Sequence, residues 1–344
     1  MTPVKFASPI AARKAGRVHW PDVARGVGIV LVVLGHTIAG LLNAGVMEHS
    51  AGPHWVYYAI YTFHMPLFFV LSGIFLADGA KRGAEDFWTG KAWTIIYPYV
   101  LWSLTQGALQ MWINGALGQP WTFKALASIG WQPLSQFWFL YALLLCHAAG
   151  MAFKDRPYVL LGVSLIGWVA ASFMPWTWIA AKTLHFLPYY AAGMILSTRA
   201  LRWRAPPVWV TLALMAAFGV SVAACHALEE WKAEALVVTP AALLGVAATF
   251  AVALSAEDAF GAALRWLGRA SMTIFVLHIL ALAGVRMALS AMGVDDPILH
   301  LIAGVTLGLL GPAFTHVLLE RWGLLPLFGF ARPPRRAPVP VTSA

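Results

Sequence analysis

An all-α, polytopic membrane fold of about ten helices is the architecture this sequence predicts, on three observations. Of 344 residues, 60% are hydrophobic and only 11% charged, where an ordinary soluble domain has roughly a quarter of its residues charged. One soluble core of this size cannot hide that much apolar surface. The apolar residues also come in runs near the 20 or so that a helix needs to cross a bilayer. Finally, the 17 Trp suit the aromatic belts of a lipid boundary. Disorder and fibrous repeats are excluded by the same figures.

Reading along the chain gives ten apolar runs, at 22–42, 55–77, 92–113, 136–152, 157–174, 178–197, 208–225, 237–254, 271–291 and 298–320. The fourth and fifth are short and separated by the turn Lys154-Asp155-Arg156-Pro157, which predicts a helical hairpin. The first run follows a basic leader and is too long for a signal-peptide core, so no cleavable signal is expected. No internal repeat is evident. The expected organisation is a basic cytoplasmic segment 1–21, a membrane domain 22–320, and a basic, Pro-rich cytoplasmic tail 321–344. Its end, 331–344, reads as disordered.

Charge orients the helices. With the N-terminus inside, the inner segments hold Lys5, Arg13, Lys14, Arg17, Lys81, Arg82, Lys154, Arg156, Arg199, Arg202, Arg204, Arg265, Arg269, Arg321, Arg332, Arg335 and Arg336. The outer loops hold only Lys124 and Lys232. Seventeen against two predicts N-in, C-in by the positive-inside rule, and an even number of spans agrees. That rule also accounts for the net charge of +9 without nucleic acid, since no continuous basic face exists. Cys146 and Cys225 lie in or beside apolar runs with no Cys-x-x-Cys pair, so neither a disulfide framework nor a metal site is expected. Walker, His-Glu-x-x-His and Gly-x-Ser-x-Gly motifs are absent, which leaves an ATP motor, a zinc hydrolase and a serine-hydrolase elbow unsupported.

Ionisable groups inside the bilayer cost about 2.5–3.5 kcal/mol each on insertion scales, so each is a functional candidate. The first run, WPDVARGVGIVLVVLGH, carries Arg25 and His36. Eleven residues is close to three turns, so both lie on one helix face, roughly 16 Å apart along the axis. Gly26, Gly28 and Gly35 allow close approach of a helix or a ligand nearby. Asp22 is about 21 Å from His36 on the same axis and pairs more plausibly with Arg25. In the second run His64 precedes Pro66, whose missing amide leaves the carbonyl of Thr62 free and the helix wall open. His64 suits either a packed kink or a working site. Lys91 stands at the cytoplasmic boundary, level with Arg25, and two such cations could hold a phosphorylated ligand. Lys182 and His185 share a face in the outer half of the sixth run, where His185 suits a cavity wall. His278 and Arg286 suit packing or snorkelling. Glu229, Glu230, Glu234, Asp295 and Asp296 read as a solvated outer face.

The order and spacing of several short motifs resemble the membrane acyltransferase-3 family of sugar O-acyltransferases, most closely its fucose 4-O-acetylase-like branch. They are Arg25 to His36, the aromatic 63–73 segment ending in Ser72-Gly73, Pro98-Tyr99 after a basic residue, Phe137-Trp138-Phe139-Leu140, Ala192-Gly193-Met194, and Leu267 to Phe275 leading to His278. The similarity runs through most of the chain. It implies ten helices in a cell inner (plasma) membrane and an acyl-coenzyme A donor, acetyl or succinyl, taken from the cytoplasm. The acceptor it implies is a hydroxyl of a cell-envelope glycan or lipid-linked sugar. Acetyl-CoA would be a co-substrate, with no resident cofactor. The resemblance gives His36 the catalytic role and makes Arg25 essential. Family members often carry a second basic residue three positions after Lys91; here it is Thr94, which weakens a phosphate cluster at that point.

Together these readings predict that Arg25, Lys91 and Arg269 hold the nucleotide phosphates while the pantetheine arm runs along the glycine face of the first helix. His36 then acts as general base or as acyl-accepting nucleophile. His64 or Ser72 polarises the thioester carbonyl, and Lys182 with His185 contacts the acceptor, which His36 beyond the midplane would meet from outside. The rival readings are a transporter of a small acid or lipid-linked glycan, and a non-catalytic scaffold.

Overall fold

The structure is a computed structural model that describes residues 18–48, 50–116, 123–228 and 236–333. Each of the ten apolar runs contains a helix, and the described residues hold no strand. We number the longer helices α1 (Trp20–Asn43), α2 (Ala51–Ile74), α3 (Ala84–Lys91), α4 (Tyr97–Ala116), α5 (Trp138–Ala152), α6 (Pro157–Ala171), α7 (Ile179–Ala200), α8 (Val208–Ala227), α9 (Thr239–Ser255), α10 (Ala259–Arg269), α11 (Ser271–Ala291) and α12 (Pro297–Arg321). Among the described residues seven helical segments, those containing α1, α2, α5, α8, α9, α11 and α12, are long and apolar enough to cross a membrane.

Local chemistry starts and stops these helices where the chain needs it. Pro21 and Asp22 occupy the first turn of α1, where a missing N–H costs nothing and a negative charge meets the helix dipole. Asp296 caps α12 by accepting from the amides of Ile298 and Leu299, at 2.7 and 2.9 Å, so part of the expected outer acidic face is a helix cap. Asp295 beside it is exposed, and Glu229, Glu230 and Glu234 lie outside the described residues, as do Lys232 and the basic leader. Between α3 and α4 the chain widens into a single π turn, Ala92–Ile96. It falls just before Pro98, whose ring cannot tolerate the carbonyl four residues earlier in a regular α-helix.

Two backbone crossings organise the centre. A Cβ on Gly73 would fall 2.1 Å from the carbonyl oxygen of Tyr190, and one on Gly193 2.1 Å from that of Val70. α2 and α7 therefore cross with no side chain between them. In the same way α10 lies on the start of α1: a Cβ on Gly26 would meet Leu264 O at 1.9 Å, and one on Gly268 would meet Asp22 O at 1.7 Å. α10 is amphipathic, burying Leu264 and leaving Arg269 exposed. The expected α5–α6 hairpin turns at residues 153–156, yet α6 packs chiefly on α7 rather than back on α5.

The C-terminal segment departs from the sequence expectation. Residues 324–330 fold back on α4, where Tyr97 Oη donates to Leu327 O at 2.7 Å and Trp102 Nε1 to Phe328 O at 2.9 Å. Trp102 also stacks on Phe330. Arg332, expected in a disordered tail, pairs with Asp86 at 2.7 Å. Backbone carbonyls supplied to two indole and phenol donors hold this part, which composition alone does not reveal. Residues 334–344 lie outside the described residues.

Candidate active site

A cavity of about 530 Å³ runs between α1, α2, α5, α7 and α11. α1 presents Arg25, Ile29, Val32 and His36 to it, spaced four, three and four residues apart as one face of a helix requires. The glycine face of α1 points elsewhere. A Cβ on Gly28 would meet Phe68 at 2.8 Å, and one on Gly35 would meet Tyr61 at 2.9 Å. Neighbouring side chains fill that face, so a pantetheine arm has no room there; the open stripe is Ile29–Val32.

The contacts that close α1 on α2 also fix depth. Arg25 lies over the Phe75 ring at 5.3 Å, and Gly35 faces Ile60 and Tyr61. The two helices are therefore antiparallel, with Ser72 level with Arg25 and Tyr61 level with His36. Ser72 stands eleven residues from Tyr61, about 16 Å along the axis. It cannot polarise a carbonyl that reacts at His36, as the sequence reading allowed. Arg25 itself bonds Asp22 at 2.9 Å, the pairing expected of that carboxylate.

Hydrogen bonds assign the histidine tautomers. His36 Nδ1 lies 2.8 Å from Val32 O, and His64 Nδ1 2.8 Å from Ile60 O. A carbonyl only accepts, so each Nδ1 carries the proton and each Nε2 keeps a lone pair. Both rings line the cavity, and Tyr61 stands between them, with centroids 6.0 Å from His36 and 4.8 Å from His64. Neutral His64 thus has no N–H left to polarise a carbonyl, which corrects that expectation. His185 is the reverse. Its Nδ1 accepts from Trp168 Nε1 at 3.0 Å, so Nε2 bears the proton.

Lys182 and His185 line the same cavity. The Lys182 ammonium sits over two indoles, 4.7 Å from Trp138 and 4.6 Å from Trp176, a cation–π arrangement. Lys91 and Arg269 are not in the cavity wall. Lys91 ends α3 below Arg25, over the Phe87 ring at 5.2 Å. Burial first, and then the nearby charges of Arg25 and Arg82, push its ammonium down to about 8. Thr94, where family members often carry a second base, lines the cavity with its hydroxyl bonded to Gly90 O at 2.8 Å. Arg269 is exposed on the last turn of α10. Five of the seven expected site residues, Arg25, His36, His64, Lys182 and His185, thus meet in one cavity.

Other groups come in from distant sequence. Trp138, Trp176 and Gln136 complete the wall, and Gln106 Nε2 reaches Val276 O at 2.7 Å to tie α4 to α11. His278 is buried, as expected for packing, but its ring stands 5.0 Å from that of His36. Arg286 donates to Gly40 O at 2.9 Å and so holds α11 to α1. Cys146 and Cys225 are buried free thiols. Among the described residues no group of three His, Cys, Asp or Glu side chains could hold a metal ion.

A family model described as an acyltransferase domain matches residues 18–317. The nodulation protein NolL of Mesorhizobium japonicum is 24% identical over 206 residues, covering 57% of this chain and 54% of that relative. The similarity therefore spans about half the length of the relative. No solved structure matches. With a matched segment that takes in all of α1 to α11 and the cavity they enclose, the chain belongs to the acyltransferase-3 family.

Proposed function

We propose that this protein is an O-acyltransferase that moves an acyl group, acetyl being the reading we favour, from acyl-coenzyme A to a hydroxyl of a cell-envelope glycan or lipid-linked sugar. It does so in a cell inner membrane, with ten spans and both termini in the cytoplasm. One observation carries the reading: a single cavity is lined by cationic Arg25, by the His36 imidazole three turns along the same helix, and by Lys182, whose ammonium sits over two indoles. Arg25, with Lys91 at the mouth, suits the phosphates of a nucleotide donor. The apolar Ile29–Val32 stripe suits the pantetheine arm, and indole faces suit a sugar ring at the outer end. Arg269 would join the phosphate site only from its edge.

In this mechanism His36 Nε2 takes the proton of the acceptor hydroxyl as its oxygen bonds to the thioester carbonyl carbon. The Nδ1–H bond to Val32 O holds the ring in the one tautomer that leaves Nε2 basic. Tyr61, which lines the cavity beside His36, donates to the developing oxyanion. When the carbon–sulfur bond breaks, the protonated imidazole returns its proton to the departing thiolate. Protons balance without any exchange with water.

The test is release of coenzyme A thiol by the purified protein in lipid, with and without an envelope glycan extract. Extract-dependent release that vanishes in His36→Ala is the expected result. Equal release by both proteins would move the chemistry off α1. No release from a panel of acyl-CoA donors by folded protein would favour the transporter.

A further inference from the structure

The ring beside the proposed base is itself unusual. His278 is fully buried, and its Nδ1 donates to two carbonyls of its own helix, Phe275 O at 2.8 Å and Ile274 O at 3.1 Å. By the argument used for His36, the proton is on Nδ1 and Nε2 holds a lone pair. That Nε2 is enclosed and has no hydrogen-bond partner among the described residues. Two other buried histidines use a ring nitrogen on a neighbour: His147 meets Tyr190 Oη at 2.7 Å and His185 meets the Trp168 indole. A buried polar atom left bare calls for a role elsewhere in the cycle.

The neighbour that could give it one is His36, whose ring lies 5.0 Å away at 73°, edge to face. In the resting state both imidazoles offer lone pairs at Nε2 and neither has a proton to give the other. During acyl transfer His36 becomes an imidazolium in a dry wall, with one N–H committed to Val32 O. We infer that His278 is a positioning residue for that cation: its electron-rich, uncommitted Nε2 side stabilises the protonated His36 ring and holds it at one angle to the cavity. The placement is rigid. Flanking His278 on α11, Val276 O is bound by Gln106, and Thr273 meets His316 of α12 at 2.7 Å. Facing His36 from α2 is Tyr61, with His64 beyond it, so His278 is the group supplied from the other side. Asp22, the acidic residue on α1, is engaged with Arg25 three turns away, and among the described residues no carboxylate lines the cavity.

This inference rests on His36 being the base, and the experiment separates the two. Three variants differ in what they keep. His278→Gln places a carbonyl oxygen near the Nε2 position, His278→Asn keeps only a group near Nδ1, and His278→Phe keeps the ring without any lone pair. Glutamine should retain kcat, while asparagine and phenylalanine lose at least about tenfold, short of the roughly 10²–10⁴-fold expected when the base itself is removed. KM for acyl-coenzyme A should not move in any of them. Full kcat in the asparagine and phenylalanine variants would overturn the inference. So would an equal loss in all three folded variants, which would mark a purely structural ring. If His36→Ala retains activity, the base assignment fails first and is recognised as such. A readout independent of turnover is the ¹⁵N spectrum of histidine-labelled protein in lipid. His278→Phe should shift the Nε2 resonance of His36 and leave its Nδ1 resonance in place; an unmoved Nε2 would count against the pairing.

Discussion

α2 and α8 are both apolar helices of spanning length, yet they live in different surroundings. In α2 and its continuation, 67% of the span is buried against protein; in α8 the share is 11%. Hydropathy does not tell them apart, because lipid is as good a solvent for Val and Leu as a protein core. Polar and small residues do. α2 carries His64, Tyr61, Thr62 and a glycine in backbone contact with α7. α8 has no acidic or basic residue until His226, and Gly219 faces open space. In a membrane fold the inside is marked by groups that lipid would not tolerate, rather than by apolar ones.

That contrast can be broken or sharpened by substitution. The largest effect belongs to His36→Ala, with a loss of about 10²–10⁴-fold in kcat and an unchanged melting temperature; a lost fold would make the residue structural. Next is Gly73→Ala, whose new methyl would meet Tyr190 O at 2.1 Å. Thermal unfolding in lipid should show a loss of about 1–3 kcal/mol, the usual cost of overpacking. A third effect is tied to pH. With the Lys91 ammonium pushed down to about 8, the charged form prevails below that pH and is lost above it. On the proposed donor site, kcat/KM for acyl-CoA should hold below about pH 8. Above it the value should fall about tenfold, the worth of one charged contact. Lys91→Arg, protonated throughout, should flatten the fall. The smallest effect is Gly219→Ala in α8, where nothing lies within 4 Å; it should leave activity untouched and stabilise by up to about 1 kcal/mol.

How much of this was legible in the sequence follows from the range of each signal. Apolar runs are local, and each of the ten holds a helix. The face shared by Arg25 and His36 is a matter of helical period, and the cavity wall follows it through Ile29 and Val32. Which helix meets which is not a local matter. The α1 glycines announce a close approach, but only the fold says that Phe68 and Tyr61 make it. Trp138 and Trp176 around Lys182, Gln106 on Val276, and His278 against His36 join residues from different helices or loops. No local pattern encodes such pairings. The C-terminal return onto α4 is hidden for the same reason, since its anchors are backbone carbonyls.

In the proposed reaction two substrates meet in one cavity, one from each side of the membrane. Sealed vesicles containing the protein and an enclosed acceptor glycan, given labelled acyl-coenzyme A outside, put that to the most direct test. Label should appear on the enclosed glycan with wild-type protein and be absent with His36→Ala. Label on glycan only when donor and acceptor share a side would contradict it.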